Sequence, residues 1–173
     1  MVAPKRSIST RRGCATFHVR AIAVDLRAEL PAVLPLAVSW AEAQSQLVQL
    51  HGHPLPEDKL QIAEAVGVCQ PRSVRLAGVK ALPLPEHPML RAAALQAGLL
   101  GPGMVGLTLG YSIFIVNGHV NDRLLSHELR HVQQYERAGS IAAFLPTYLS
   151  QIVDLGYENA PFEIDARAHE ILP

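Results

Sequence analysis

Apolar and polar positions along the chain change period several times, and each change marks an element. From about Ala28 to Leu50 the apolar positions repeat at helical spacing. Trp40, Leu47 and Leu50 share the face expected to be buried, and Pro31 and Pro35 limit the first turns. The stretch HGHPLPEDKL, residues 51–60, makes a loop and starts a second helix. Glu57 and Asp58 suit its N-terminal end, and Gly67 is its stop. Residues 73–85 read as a short strand closed by prolines, and residues 87–100 as a helix ending at Gly101-Pro102-Gly103. Leu107 to Val116 alternates: Leu107, Leu109, Tyr111, Ile113 and Ile115 on one side, Thr108, Gly110 and Ser112 on the other. That predicts one continuous strand. A turn follows, with Asn121 or Asp122 capping the next helix. Beyond Gly139 a helix runs to about Leu155, with Ile141, Leu145, Tyr148, Ile152 and Leu155 spaced for burial and Pro146 able to bend it. Pro161 opens the last helix, which the pattern carries to Leu172. The sum is a mainly helical α+β domain with a small β-sheet.

At 173 residues the chain has room for one domain with a hydrophobic core, taken as residues 21–173. Residues 1–20 form a basic tail: Lys5, Arg6, Arg11, Arg12 and Arg20 precede the first acid, Asp25. The expectation is a disordered tail on a cytoplasmic protein, the alternative a targeting segment for an organellar matrix. Over the whole chain 15 basic and 15 acidic residues cancel, which argues against nucleic acid as a partner. Two cysteines, Cys14 and Cys69, suit a reducing compartment and exclude a cysteine-rich zinc knuckle, so any metal must be held by histidines and carboxylates. The uncharged run from Ala92 to Asn121 is long, but its glycines and its alternating second half fit a soluble core and not a membrane span.

The chemistry concentrates at His127-Glu128-Leu129-Arg130-His131. At about 100° per residue the two histidines differ by about 40° on a helix, and Glu128 stands on the shoulder of the same face. This is the HExxH arrangement: two imidazoles one turn apart bind a metal, and the adjacent carboxylate acts as a base. An amphipathic helix needs two faces, whereas this one has three. Leu124, His127, Glu128, His131, Gln134 and Tyr135 form one sector, and Leu125, Leu129 and Val132 an apolar one. Ser126, Arg130, Gln133 and Arg137 form a third, expected to be solvated; Glu136 fits none of them. A catalytic zinc takes three protein ligands. The extension that would supply a third histidine fails at Gln134 and Arg137.

SHELRHVQQYERAG and the later NAPFEIDARAHE resemble the active-site helix and the glutamate-ligand helix of gluzincin zinc peptidases. At this size the minigluzincins are the nearest comparison, and residues before about 100 carry no such signature. The resemblance implies a zincin-like fold with Zn²⁺ on His127, His131 and Glu163. It implies hydrolysis of a peptide or protein substrate, with Glu128 taking the proton of the attacking water. Tyr111, Tyr135 and Tyr157 are candidate oxyanion donors, and Tyr157, in the loop before the ligand helix, is the best placed. The sequence departs from the clan at Arg167, where an aspartate commonly supports a ligating histidine, and Glu163–Arg167 also reads as an ordinary helix pair. Asp165 and His169 read as a solvent-facing pair, and Asp154 is the next candidate ligand. Two other readings compete: a non-catalytic zinc-binding protein with a regulatory or structural role, and a metal-free helical interaction module.

Overall fold

The computed structural model describes residues 25–172. The tail of residues 1–20, and the start of the domain at residues 21–24, lie outside them. The order of elements is α1 (Leu26–His51), β1 (His53–Pro54), α2 (Leu60–Ala65), β2 (Arg75–Val79), α3 (Pro88–Gln96), β3 (Gly106–Leu109), β4 (Ser112–Val116), α4 (Asp122–Ala138), α5 (Ile141–Leu155) and α6 (Pro161–Ala168). This is a mainly helical α+β fold around a mixed four-stranded sheet of order β1-β2-β4-β3. β2 and β4 run parallel and the two outer pairings are antiparallel. Among the described residues no helix is long and apolar enough to cross a membrane.

Pairing sets which side chains share a face. Thr108 lies opposite Ile113 and Leu107 opposite Phe114. Ile113, Ile115 and Leu76 pack with Leu125, Leu129 and Val132 of α4 and with α2. Leu109, Phe114, Ala77 and Val79 point the other way, into a cluster with Ala41 and Val48 of α1 and Phe144 and Leu145 of α5. The sheet is therefore covered on both faces.

The predicted single strand 107–116 is a hairpin. Leu109 pairs with Ser112 across Gly110-Tyr111, and Gly110 has φ +65° while Tyr111 does not. A two-residue loop with positive φ at its first position matches strand twist, and glycine reaches it without strain. The turn shifts the alternation: Tyr111 leaves the ladder, and Ile113 joins Thr108 instead of Leu109. Alternating apolar residues cannot reveal such a turn when the loop itself has the same parity as the strands.

Several boundaries move for local reasons. α1 continues through Pro31 and Pro35, capped by the Asp25 carboxylate accepting from Arg27 N and Ala28 N. It buries Val33, Ala37, Ala41 and Val48, leaving Leu47 and Leu50 exposed and Trp40 half-buried. The small side chains at 37 and 41 allow close approach there, and Leu47 and Leu50 fall outside that stripe. α3 ends at Gln96, short of Gly101, and the chain turns at Gly98, φ +77°. α5 buries Phe144, Leu145 and Ile152, but Leu155 is exposed. α6 stops at Ala168, and residues 169–172 run on without regular structure.

Candidate metal centre

Asn121 caps α4, its side chain accepting from Leu124 N at 2.9 Å, while Asp122 pairs instead with Lys59. Leu125, Leu129 and Val132 enter the core, and the chemical sector is buried beside them: His127, Glu128, His131, Gln134 and Tyr135. The sector expected to face solvent mostly does not. Ser126 is fully buried, and Arg130 donates to Asp165 and to the carbonyl of Val66; only Arg137 is exposed. The physical reason is coverage of α4 by α2 on one side and by α6 with its following segment on the other. Glu136, the residue that fitted no sector, accepts from Cys69 N at 2.7 Å, Gln70 N at 2.9 Å and the Tyr111 hydroxyl at 3.0 Å.

His127, His131 and Glu163 converge in a buried group that can hold a metal ion. The two Nε2 atoms are 3.2 Å apart, His127 Nε2 is 3.4 Å from Glu163 Oε2, and His131 Nε2 is 3.4 Å from Glu163 Oε1. The opposite ring nitrogens decide the proton positions. His131 Nδ1 is 2.8 Å from Gln134 Oε1, and the amide nitrogen of Gln134 is committed to Phe162 O and Asp165 Oδ2. His127 Nδ1 is 3.1 Å from Glu170 Oε1. Both neighbours accept, so each Nδ1 carries the hydrogen and each neutral ring presents a lone pair at Nε2. Glu163 Oε2 is buried without a hydrogen-bond partner. Two lone pairs and an orphaned carboxylate oxygen turned on one another call for a cation. Atoms bonded to one tetrahedral ion at about 2.0–2.1 Å stand roughly 3.3–3.4 Å apart. Here each histidine approaches a different Glu163 oxygen, and one ligand atom from each residue lies within 4.8 Å of the others.

The three groups also set one another's charge. Burial opposes the charge of Glu163, but the imidazoles of His127 and His131 beside it outweigh burial and hold the carboxyl far below its usual range. Burial likewise opposes charge on His131, and the Glu163 carboxylate reverses the balance, raising it. The Tyr148 hydroxyl donates to Glu163 Oε1 at 2.7 Å. Burial, then the Glu163 carboxylate, pushes the phenols of Tyr148 and Tyr157 well up.

Glu128 sits between α4 and β3. Thr108 Oγ1 donates to Glu128 Oε2 at 2.6 Å, and a Cβ on Gly106 would lie 2.1 Å from Glu128 Oε1. Leu109–Ser112 closes the hairpin and Val116 N donates to Val105 O, so the inward bonds belong to the odd-numbered residues of this strand. Gly106 and Thr108 therefore turn their backbone groups to the free edge of the sheet. A cavity of about 130 Å³ reaches the site, with Glu128, Tyr157 and the triad at one end. Its far walls are apolar, among them Val33, Ala37, Trp40, Leu90, Leu149 and Ile152.

Several predicted placements change. Asp165 contacts His169, but it also faces α4: Arg130 clamps it with two hydrogen bonds and lowers its pKa, assisted by Gln134. Glu163 and Asp165 thus both reach the motif helix, because α4 and the residues around it meet α6 over a broad arc. Arg167 turns to the carbonyl of Glu158 and makes no pair with Glu163. Asp154 pairs with Arg27, outside the site. Sequence reasoning missed Gly106, Thr108, Tyr148 and Glu170. In the sequence Thr108 stands only on the polar side of the expected strand, Gly106 precedes it, and Tyr148 reads as a position spaced for burial. No family model, curated protein or solved structure matches the chain.

Proposed function

We propose that the protein is a zinc-dependent peptidase of gluzincin type, with Zn²⁺ held by His127, His131 and Glu163. The observation that carries this reading is the position of Glu128, a buried carboxylate held by Thr108 in the cavity shared with the triad. A metal site that only staples the fold has no use for such a group. Zinc at this site supplies Lewis acidity, polarising a peptide carbonyl and lowering the pKa of water towards 7. Glu128 takes the proton of the attacking water and returns it to the leaving amine. Tyr157, at the same end of the cavity, donates to the developing oxyanion. The free edge at Gly106 and Thr108 offers main-chain hydrogen bonds to an extended peptide. The apolar walls suit a large apolar side chain of that peptide, since a dry cavity of about 150 Å³ holds a benzene ring.

The test compares wild type with Glu128→Gln, using metal analysis and cleavage of an unfolded protein. Both should contain close to one zinc per chain, and only wild type should cleave, because the amide cannot accept the proton. Equal cleavage by the two proteins would end the peptidase reading while leaving the metal site standing.

A further inference from the structure

The segment after α6 folds back across the first turns of α4. Ile171 N donates to Ser126 Oγ at 2.9 Å, and Ser126 Oγ donates in turn to Arg123 O at 2.9 Å. One residue earlier, Glu170 places Oε1 against His127 Nδ1 at 3.1 Å and Oε2 against Arg123 Nε. Its side chain is only 12% exposed, while that of Arg123 is 61% exposed. The carboxylate is thus gripped from both sides, with the imidazole inside and the guanidinium outside.

We propose that Glu170 is a positioning residue of the metal centre, setting the proton and ring plane of His127 so that Nε2 presents its lone pair to the ion. The role rests on the reading of His127, His131 and Glu163 as metal ligands. The two histidines are not equivalent in this respect. His131 leans on the neutral amide oxygen of Gln134, and His127 on a carboxylate. A carboxylate behind the ring holds the proton at Nδ1 and the ring plane of His127 more firmly than a neutral amide oxygen does for His131. Arg123 and the Ser126–Ile171 bond hold the carboxylate in place, and without them the free segment would have to be ordered each time a metal binds. The contact joins positions 43 residues apart, through a segment that is not helical.

The experiment measures zinc affinity of the full chain, stripped of metal and titrated against a competing chromophoric chelator. Glu170→Ala should weaken zinc binding by about 10–100-fold, the usual cost of losing a group that orients a ligand. Glu170→Gln keeps an acceptor oxygen without the charge and should recover part of the loss. Urea unfolding of the metal-free proteins should give similar midpoints for Glu170→Gln and wild type, which separates orientation from folding. Wild-type affinity in Glu170→Ala would overturn the positioning role and leave the metal centre intact. No zinc uptake by wild type would overturn the metal centre, and this role with it.

Discussion

Gly106 has no room for a side chain. A methyl there would meet the Glu128 carboxylate at 2.1 Å, so Gly106→Ala must displace the carboxylate or the strand. Because His127, His131 and Glu163, the group that can hold a metal, lie elsewhere, the variant should bind metal like the wild type. Its cleavage of an unfolded protein should fall by about 100-fold, as a misplacement of about 1 Å can cost that much. Loss of metal together with activity would show that the glycine supports the whole site and not the base alone. Tyr148 acts on the other side of the centre, as a donor to the buried Glu163 carboxylate. Tyr148→Phe should destabilise the metal-free protein by about 1.5–3 kcal/mol, the range for a hydrogen bond to a charged group, read from urea denaturation. An unchanged midpoint would mean that the Tyr148 hydroxyl contributes nothing to holding Glu163. Neither role is visible in the residue types: a glycine and a tyrosine acquire them only from the carboxylates brought beside them.

At the scale of elements, the hairpin and the motif helix are joined by Glu136, which takes two backbone N–H groups after α2 and the hydroxyl of Tyr111 in the β3–β4 turn. Burial, and the Glu136 carboxylate beside it, push the Tyr111 phenol up to about 12. The folded state therefore favours the protonated phenol. That contribution is complete below the ordinary tyrosine pKa of about 10 and is lost as pH rises from there through the folded value. Unfolding free energy should fall more steeply over that alkaline window in wild type than in Tyr111→Phe. Parallel curves for the two proteins would show that the Tyr111–Glu136 contact contributes nothing to pH dependence. The three-sector pattern of α4 correctly separated its chemical stripe from its apolar stripe, since both follow from helical period. It misassigned Ser126 and Arg130, because a polar side chain bonded by a covering helix looks in sequence like one bonded by water. Glu136 shows the same limit from the other side: its donors come from the segment after α2 and from the hairpin, far away in sequence.

At the scale of the whole molecule, the candidate centre draws on α4 for His127 and His131 and on α6 for Glu163, with α5 supplying Tyr148 and β3 securing Glu128. Binding an ion that the unfolded chain cannot assemble stabilises the fold by mass action, by about 4 kcal/mol at a thousandfold excess over Kd. Added zinc should therefore raise the melting temperature and a chelator should return it, in scanning calorimetry. A melting temperature indifferent to both would argue against a metal shared between these helices. A metal held by imidazole nitrogens competes with protons for them. Zinc retention after equilibrium dialysis should fall as pH drops through the usual histidine range near about 6.5 and below. Retention that is flat into the carboxylate range would mean that the histidines are not ligands.

The sequence by itself determined the class of the fold and the chemistry along each element. Helical period set α4 and its paired histidines, a cap and a proline set the starts of α4 and α6, and the paucity of cysteine left histidine and carboxylate as the available donors. Those are properties of neighbours within a few residues, and local backbone geometry transmits them directly. Tertiary structure alone decided the hairpin within 106–116, the covering of Ser126 and Arg130, the turning of Asp165 towards α4, and the placement of Gly106, Thr108, Tyr148 and Glu170 around the site. Each depends on which surfaces meet when helices close over the sheet. A side chain's partner across such an interface is set by packing between distant segments, and no period along the chain encodes it.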